Sequence, residues 1–193
     1  LPPLRVALSG ASSTGKSTLA RELSSRLGLP LIPEQARRVL ADTNMTLQAV
    51  RRDRDTLLRF QQSVLEYQIR RETAFPQGFV ADRAVYDILV LFIVYLDAPR
   101  ETLRAFERKV FAHAAARPYT LNVLLRPEGF TVEDDGVRTP DARHQAYLDG
   151  HFHGLFRAWG IDVLSPRGSV SRRADAVVRR LEAAGFGPFP APR

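Results

Sequence analysis

Gly10-Ala11-Ser12-Ser13-Thr14-Gly15-Lys16-Ser17 stands directly after an apolar stretch, Leu4 to Leu8, and fits the pattern GxxxxGK(S/T). The spacing has a physical cause. A strand that turns sharply into a helix exposes consecutive backbone N–H groups around an anion, and the helix N-terminus adds partial positive charge. Glycine at 10 and 15 lets the backbone curl close to a phosphate. Lys16 then reaches the β- and γ-phosphates of a nucleoside triphosphate, and the Ser17 hydroxyl is placed to ligate the magnesium bridging them. The flanks agree with this reading: Arg5-Val6-Ala7-Leu8 is strand-like, and in Thr18 to Leu23 the apolar residues recur at helical spacing. Gly10, Ser12, Ser13, Thr14, Gly15, Lys16, Ser17 and Thr18 are the expected contacts of ATP, with Mg2+ on Ser17.

Outward from this loop, strand and helix patterns alternate. Strands are expected over Leu4 to Leu8, Leu29 to Ile32, Gly78 to Ala81, Thr120 to Leu125 and Ile161 to Leu164. Helices are expected near Lys16 to Leu27, Glu34 to Ala41, Asp53 to Phe75, Val85 to Asp97, Glu101 to Ala116, Asp141 to Gly160 and Ser171 to Ala184. The pattern predicts an α/β fold of the P-loop NTPase type, a five-stranded parallel sheet with helices on both faces. A chain of 193 residues, 45% of them hydrophobic, can bury one substantial core. Residues 1–185 are read as one kinase-sized domain and 186–193 as a Pro-rich tail.

Composition narrows the function classes. With no cysteine, disulfides and cysteine metal sites are excluded, which fits a cytoplasmic protein. The most apolar run, Ile88 to Leu96, is too short to span a bilayer, so no membrane partner is expected. A formal charge of +7 implies attraction to polyanions, which ATP alone satisfies and nucleic acid could satisfy too. The arginine pairs at 37–38, 51–52, 70–71, 172–173 and 179–180 are not interleaved with aromatics and read as solvated helix faces.

In open α/β sheets ligands sit outside the carboxyl ends of the strands, so the residues after each strand are the places to look for chemistry. After the second comes Glu34, which either accepts the proton of an attacking hydroxyl or is an ordinary acidic residue in a first helical turn. After the third come Asp82 and Arg83. Asp82 can hold magnesium or cap the following helix, and Arg83 can neutralise a phosphate or the developing charge on a transferred group. Asp87 is a weaker candidate. Residues 126–143, polar and bearing Arg138 and Arg143, follow the fourth strand as either a lid that closes over the triphosphate or a solvated connection. Ser165 to Ser169 could wrap the adenine. Gln68 or Glu72 could line an acceptor pocket, although both read as surface helix. His144, His151 and His153 lack metal-ligand spacing, and the DxxG and NKxD guanine signatures are absent.

These segments together resemble the small P-loop kinases of the NadR-like, or AAA-28, ATPase type. The resemblance rests on GASSTGKSTLARELSSRLG at 10–28, Pro33-Glu34-Gln35-Ala36-Arg37, FVADR at 79–83 and EDDGVRTPDAR at 133–143. The segment order is also similar to that of deoxynucleoside and polynucleotide kinases. The resemblance implies Glu34 as base, Asp82 serving the metal, Arg83 as a substrate or phosphate contact, and ribosylnicotinamide as the favoured acceptor. Ala84 follows the Asp-Arg pair where deoxynucleoside kinases commonly carry serine, which leaves the acceptor open. The adenylyltransferase and DNA-binding functions of full-length NAD regulators do not carry over. The expected activity is ATP- and Mg2+-dependent transfer of the γ-phosphoryl group to a nucleoside-like hydroxyl, with Lys16, Glu34, Arg83 and Arg138 catalytic and Arg138 and Arg143 also on the nucleotide. The alternatives are a 5′-hydroxyl polynucleotide kinase and a non-catalytic nucleotide switch or ATPase module.

Overall fold

The computed structural model describes residues 2–127 and 141–189. Most of the expected lid, including Arg138, lies outside them. Among the described residues four parallel strands form the sheet: β1 (Leu4–Ser9), β2 (Leu31–Ile32), β3 (Gly78–Asp82) and β4 (Leu121–Leu124), in the order β2-β3-β1-β4. Every residue of β1 and β3 is buried, as expected for central strands covered on both faces.

The expected fifth strand is a correction. Only Leu164 pairs there, through a parallel bridge to Val123, with Leu164 N–H to Asn122 O and Leu124 N–H to Leu164 O both at 2.9 Å. Ile161 gives its N–H to Phe156 O at the end of the preceding helix, and Pro166 has none to give. Two residues beyond Leu164, Pro166 is the next position due to donate to β4, so the pairing stops at one residue. Strand β2 is shorter than expected for a similar reason, since Pro30 carries no donor and contributes only its carbonyl, which Val80 N–H reaches at 3.0 Å.

Eight helices are described: α1 (Lys16–Leu27), α2 (Gln35–Thr43), α3 (Leu47–Arg52), α4 (Arg54–Ala74), α5 (Val85–Tyr95), α6 (Arg100–Ala116), α7 (Ala142–Ala158) and α8 (Val170–Ala183). Helix α3 was not anticipated from the sequence. Thr46 caps it by accepting Ala49 N–H at 3.2 Å, and Asp53 ends it while capping α4 through Thr56 N–H at 2.7 Å. One face of the sheet packs on α1 and α8, with Leu19, Leu23, Val177 and Leu181 against Val6, Leu8 and Val123. On the other side, α4, α5 and α6 form a large apolar cluster of their own, and Phe152 and Phe156 of α7 pack against Leu124 and Val90. Helix α5 is apolar almost all round because it is enclosed by α4, α6 and α7. No helix among the described residues is long and apolar enough to cross a membrane.

Candidate active site

Strand β1 delivers the Gly10–Gly15 loop to the carboxyl edge of the sheet, and α1 begins immediately after it. Gly10 takes φ +128°, and a Cβ there would stand 2.3 Å from the Leu125 carbonyl oxygen, so no other residue fits. Gly15 caps α1 with φ +83°, which turns the loop onto the helix N-terminus. Side chains from distant elements fix the loop from outside. Arg173 of α8 donates to Thr14 O at 2.8 Å, Gln145 of α7 donates to Ser12 O at 2.7 Å, and Asp87 of α5 accepts Gly10 N–H at 3.4 Å.

Lys16 lies buried inside the loop it belongs to. Its Nζ donates to Ala11 O and, at 3.3 Å, to Thr14 Oγ1. Burial lowers its pKa to about 7, and the nearby Arg83 guanidinium pushes the same way against the pull of Asp82, Asp87 and Glu34. Ser17 and Thr18 lie exposed in the first turn of α1.

Ser17 Oγ donates to Asp82 Oδ2 at 2.5 Å, so the hydroxyl after the loop lysine and the carboxylate closing β3 meet. Hard oxygen ligands of this kind suit Mg2+, which keeps several waters and is completed by substrate phosphates. Among the described residues no group of three acidic, histidine or cysteine side chains could hold an ion alone. The Ser17–Asp82 pair fits a metal that arrives with the nucleotide.

Arg83 is the centre of a buried polar cluster beside the loop. It takes φ +100°, rare for a non-glycine residue and held only where surrounding bonds over-determine it. Its N–H donates to Leu8 O at 3.0 Å and its carbonyl accepts Gln68 Nε2 at 3.0 Å. Its guanidinium donates to Glu34 Oε1 at 2.8 Å, Asp87 Oδ1 at 3.0 Å and Gly10 O at 3.3 Å. Burial opposes the charge, but Glu34, Asp87 and Asp82 outweigh it and keep this guanidinium protonated more firmly than an ordinary arginine. The second Glu34 oxygen accepts Arg37 Nε at 3.3 Å. Glu34 caps α2 by position, with no side-chain cap bond, so its carboxylate is turned to Arg83 and Arg37.

Asp87 joins the Gly10–Gly15 loop to Arg83. It is fully buried, takes a hydrogen bond from Ser9 Oγ, and accepts Ala84 N–H at 3.2 Å as well as Gly10 and Arg83. Burial raises its pKa, against the pull of Arg83, Ser9 and Lys16. A second buried network supports the Arg83 turn. Glu72 accepts Gln68 Nε2 at 2.8 Å and Tyr119 OH at 2.7 Å and lies 2.7 Å from His113 Nε2, while Tyr119 OH accepts Val85 N–H at 2.9 Å. Gln68 and Glu72, read from sequence as surface helix, are 1% and 0% exposed, because they lie on the face of α4 turned to the sheet edge.

A cleft opens beside this edge. Glu34, Arg83 and the Gly10–Ser12 backbone stand among its lining residues, with Phe60, Val64, Ile88, Leu91 and Phe152 as apolar walls and Gln61, Arg51 and Tyr95 as further polar groups. Its empty space, counted out to the open mouth and the solvent there, is about 610 Å3.

Among the expected site residues, the structure thus brings together Gly10 to Ser17, Glu34, Asp82 and Arg83. It sets Arg143 in the exposed first turn of α7, and the α7 contact to the phosphate loop comes from Gln145 instead. Arg138 lies outside the described residues. Arg173, read as a solvated face, is 2% exposed beneath the loop. Signals for the missed residues existed. Gln145, Leu148, Phe152 and Phe156 lie on one helical stripe, as do Arg173, Ala174, Val177 and Leu181, and a polar residue within an apolar stripe marks a buried polar contact.

Comparison with solved structures gives the same fold. NadR protein in complex with NAD and AMP-PNP superposes with a TM-score of 0.75 at 16% identity, covering 99% of this chain and 52% of that one. Deoxyadenosine kinase from M. mycoides, with dCMP and dCDP bound, gives 0.67 at 13% identity, covering 93% and 100%. Shikimate kinase from Acinetobacter baumannii, in complex with shikimate, gives 0.59 at 13%, covering 96% of each chain. The chain spans about half the length of NadR. At these identities the likeness carries the α/β P-loop kinase-like fold and no more. No curated protein matches the sequence. The AAA_28 family model, described as an AAA domain, matches residues 5–173, and with most of its length so matched this chain belongs to the AAA_28 family.

Proposed function

We propose that this chain is an ATP- and Mg2+-dependent kinase that transfers the γ-phosphoryl group to a hydroxyl of a nucleoside-like small molecule, with ribosylnicotinamide the first acceptor to test. The single observation carrying this reading is that Glu34 and Arg83, 2.8 Å apart, line the same cleft as the Gly10–Ser12 backbone. A protein that only held or hydrolysed a nucleotide would need no apolar cleft opening beside a carboxylate at the phosphate loop. Residues 1–185 form the catalytic unit in this reading.

In the reaction, the acceptor oxygen forms a bond to the γ-phosphorus as the bond to the β,γ-bridging oxygen breaks, ADP leaves, and the acceptor proton passes to Glu34. Arg83 holds Glu34 in place and faces the negative charge that gathers on the transferred group. Lys16 turns from Ala11 O to the β- and γ-phosphates, and Arg138 and Arg143 add positive charge on the nucleotide. Magnesium would be held by Ser17 and Asp82 and would supply charge neutralisation to the transferring phosphate. The apolar walls exclude water, which otherwise competes for the phosphoryl group.

A phosphoryl-transfer screen with ATP and magnesium over ribosylnicotinamide, common nucleosides and 5′-hydroxyl oligonucleotides tests this, with Lys16→Ala as control. The reading expects one small acceptor to be phosphorylated by the wild type and not by the control. ATP binding with no acceptor turned over would contradict it.

A further inference from the structure

The cleft carries an uneven charge. Its lining residues include three charged side chains, Glu34, Arg51 and Arg83. Glu34 and Arg83 neutralise one another at 2.8 Å, and Glu34 has Arg37 besides. Arg51 is different. It is exposed in the last turn of α3, and no carboxylate among the described residues pairs with it.

Arg51 is nonetheless held in place. Its guanidinium stands 4.4 Å over the ring of Tyr95, and the Tyr95 hydroxyl is hydrogen-bonded with His144 Nε2 at 2.7 Å. The end of α5 that carries Tyr95 is itself tied down where Arg54 donates to Asp97 O. An arginine stacked on an anchored ring keeps the donor edge of its planar fork free for another partner.

The position of Arg51 along the cleft follows from α5. That helix leaves the sheet edge at Val85, beside Arg83, and lines the cleft with Ile88, Leu91 and Tyr95 at helical spacing. Ten residues at about 1.5 Å each put Tyr95 about 15 Å along the axis from Val85. Arg51 therefore stands by the end of α5 remote from Arg83, with apolar walls between.

We infer that Arg51 is a specificity-determining residue that pairs with a carboxylate on the part of the acceptor remote from its reacting hydroxyl. The favoured acceptor is a hydroxyl-bearing ring compound that is anionic at its far end. Arg51 takes no part in the transfer itself. A guanidinium binds a carboxylate through two parallel N–H···O bonds, so the preference is geometric as well as coulombic. This inference rests on the acceptor cleft assigned above.

Two acceptors that differ by one group test it: ribosylnicotinamide and its acid counterpart, nicotinic acid riboside, in which a carboxylate replaces the amide. Binding of each is measured by calorimetry and turnover separately, for the wild type, Arg51→Met and Arg51→Lys. The wild type should bind the acid at least about tenfold tighter than the amide, the scale of one charge-assisted contact. Arg51→Met should bring that ratio within about twofold, and Arg51→Lys, which keeps the charge and loses the fork, should fall between. The preference should appear in KM more than in kcat. Equal binding of acid and amide by the wild type, a preference that survives Arg51→Met, or no binding of either riboside would overturn the inference. Turnover without acid preference removes Arg51 and leaves the kinase reading standing. An Arg51-dependent acid preference without turnover does the reverse.

Discussion

Replacing the loop lysine should make this protein more stable while abolishing its chemistry. Below pH 7 the folded chain must hold the Lys16 ammonium in a buried place where its pKa is about 7, against 10.5 in the ordinary case. At about 1.4 kcal/mol per pH unit that difference amounts to about 5 kcal/mol at pH 6. Lys16→Met removes this cost. It also removes the bonds to Ala11 O and Thr14 Oγ1, a loss of about 1–3 kcal/mol. The variant should be stabler by about 2–4 kcal/mol at pH 6, a rise in Tm of roughly 4–16 °C for a chain of this size. The sign with pH follows from proton binding. Between about pH 7 and 10.5 the folded lysine is neutral and the unfolded one still charged, so wild-type stability rises with pH and the gap to the variant closes. Thermal unfolding of both proteins from pH 6 to pH 10 measures it. A variant less stable than wild type at pH 6, or a gap that does not change with pH, refutes the reasoning.

Other consequences follow from the supports of the site. Asp87→Asn breaks a buried ion pair with Arg83 and should cost about 3–5 kcal/mol in chemical denaturation. Arg173→Leu strips the donor from Thr14 O and should weaken ATP binding about tenfold in calorimetry, with the fold retained by circular dichroism. Gly10→Ala forces a Cβ against Leu125 O at a backbone angle that alanine disfavours, and should lose about 3 kcal/mol or more, seen as a lowered Tm. In the free protein Lys16 is largely neutral at pH 8, so binding of the triphosphate should take up a proton. Calorimetry in buffers of different ionisation enthalpy detects that uptake, and proton release on binding would contradict it.

The sheet and most helices were legible because their signals are local. Helix α1 runs over Lys16–Leu27 as the apolar spacing predicts, and the Gly10 and Gly15 positions follow from the loop pattern alone. The fifth strand failed because its pairing is limited by Pro166, the next residue after Leu164 due to face β4 and one without an N–H, and not by the apolar pattern of 161–164. Helix α3 escaped because its six residues depend on caps at Thr46 and Asp53 more than on periodicity. At the site, residues that follow directly after strands were found, since the topology fixes their edge. Of the residues that reach it from helix interiors, Gln68, Glu72 and Arg173 read by their polarity as surface, and nothing in the sequence reading singles out Gln145. They are buried because each bonds a backbone group or a buried side chain at the loop or the Arg83 turn.

The most direct test of the central claim is a comparison of wild type with Glu34→Gln in single-turnover transfer from γ-labelled ATP to the acceptor that the screen identifies, with ATP affinity measured alongside. The account predicts that the variant binds ATP within a few-fold of wild type and transfers the label about 10²–10⁴-fold more slowly, the range of a lost general base. Transfer at the wild-type rate by Glu34→Gln would contradict it.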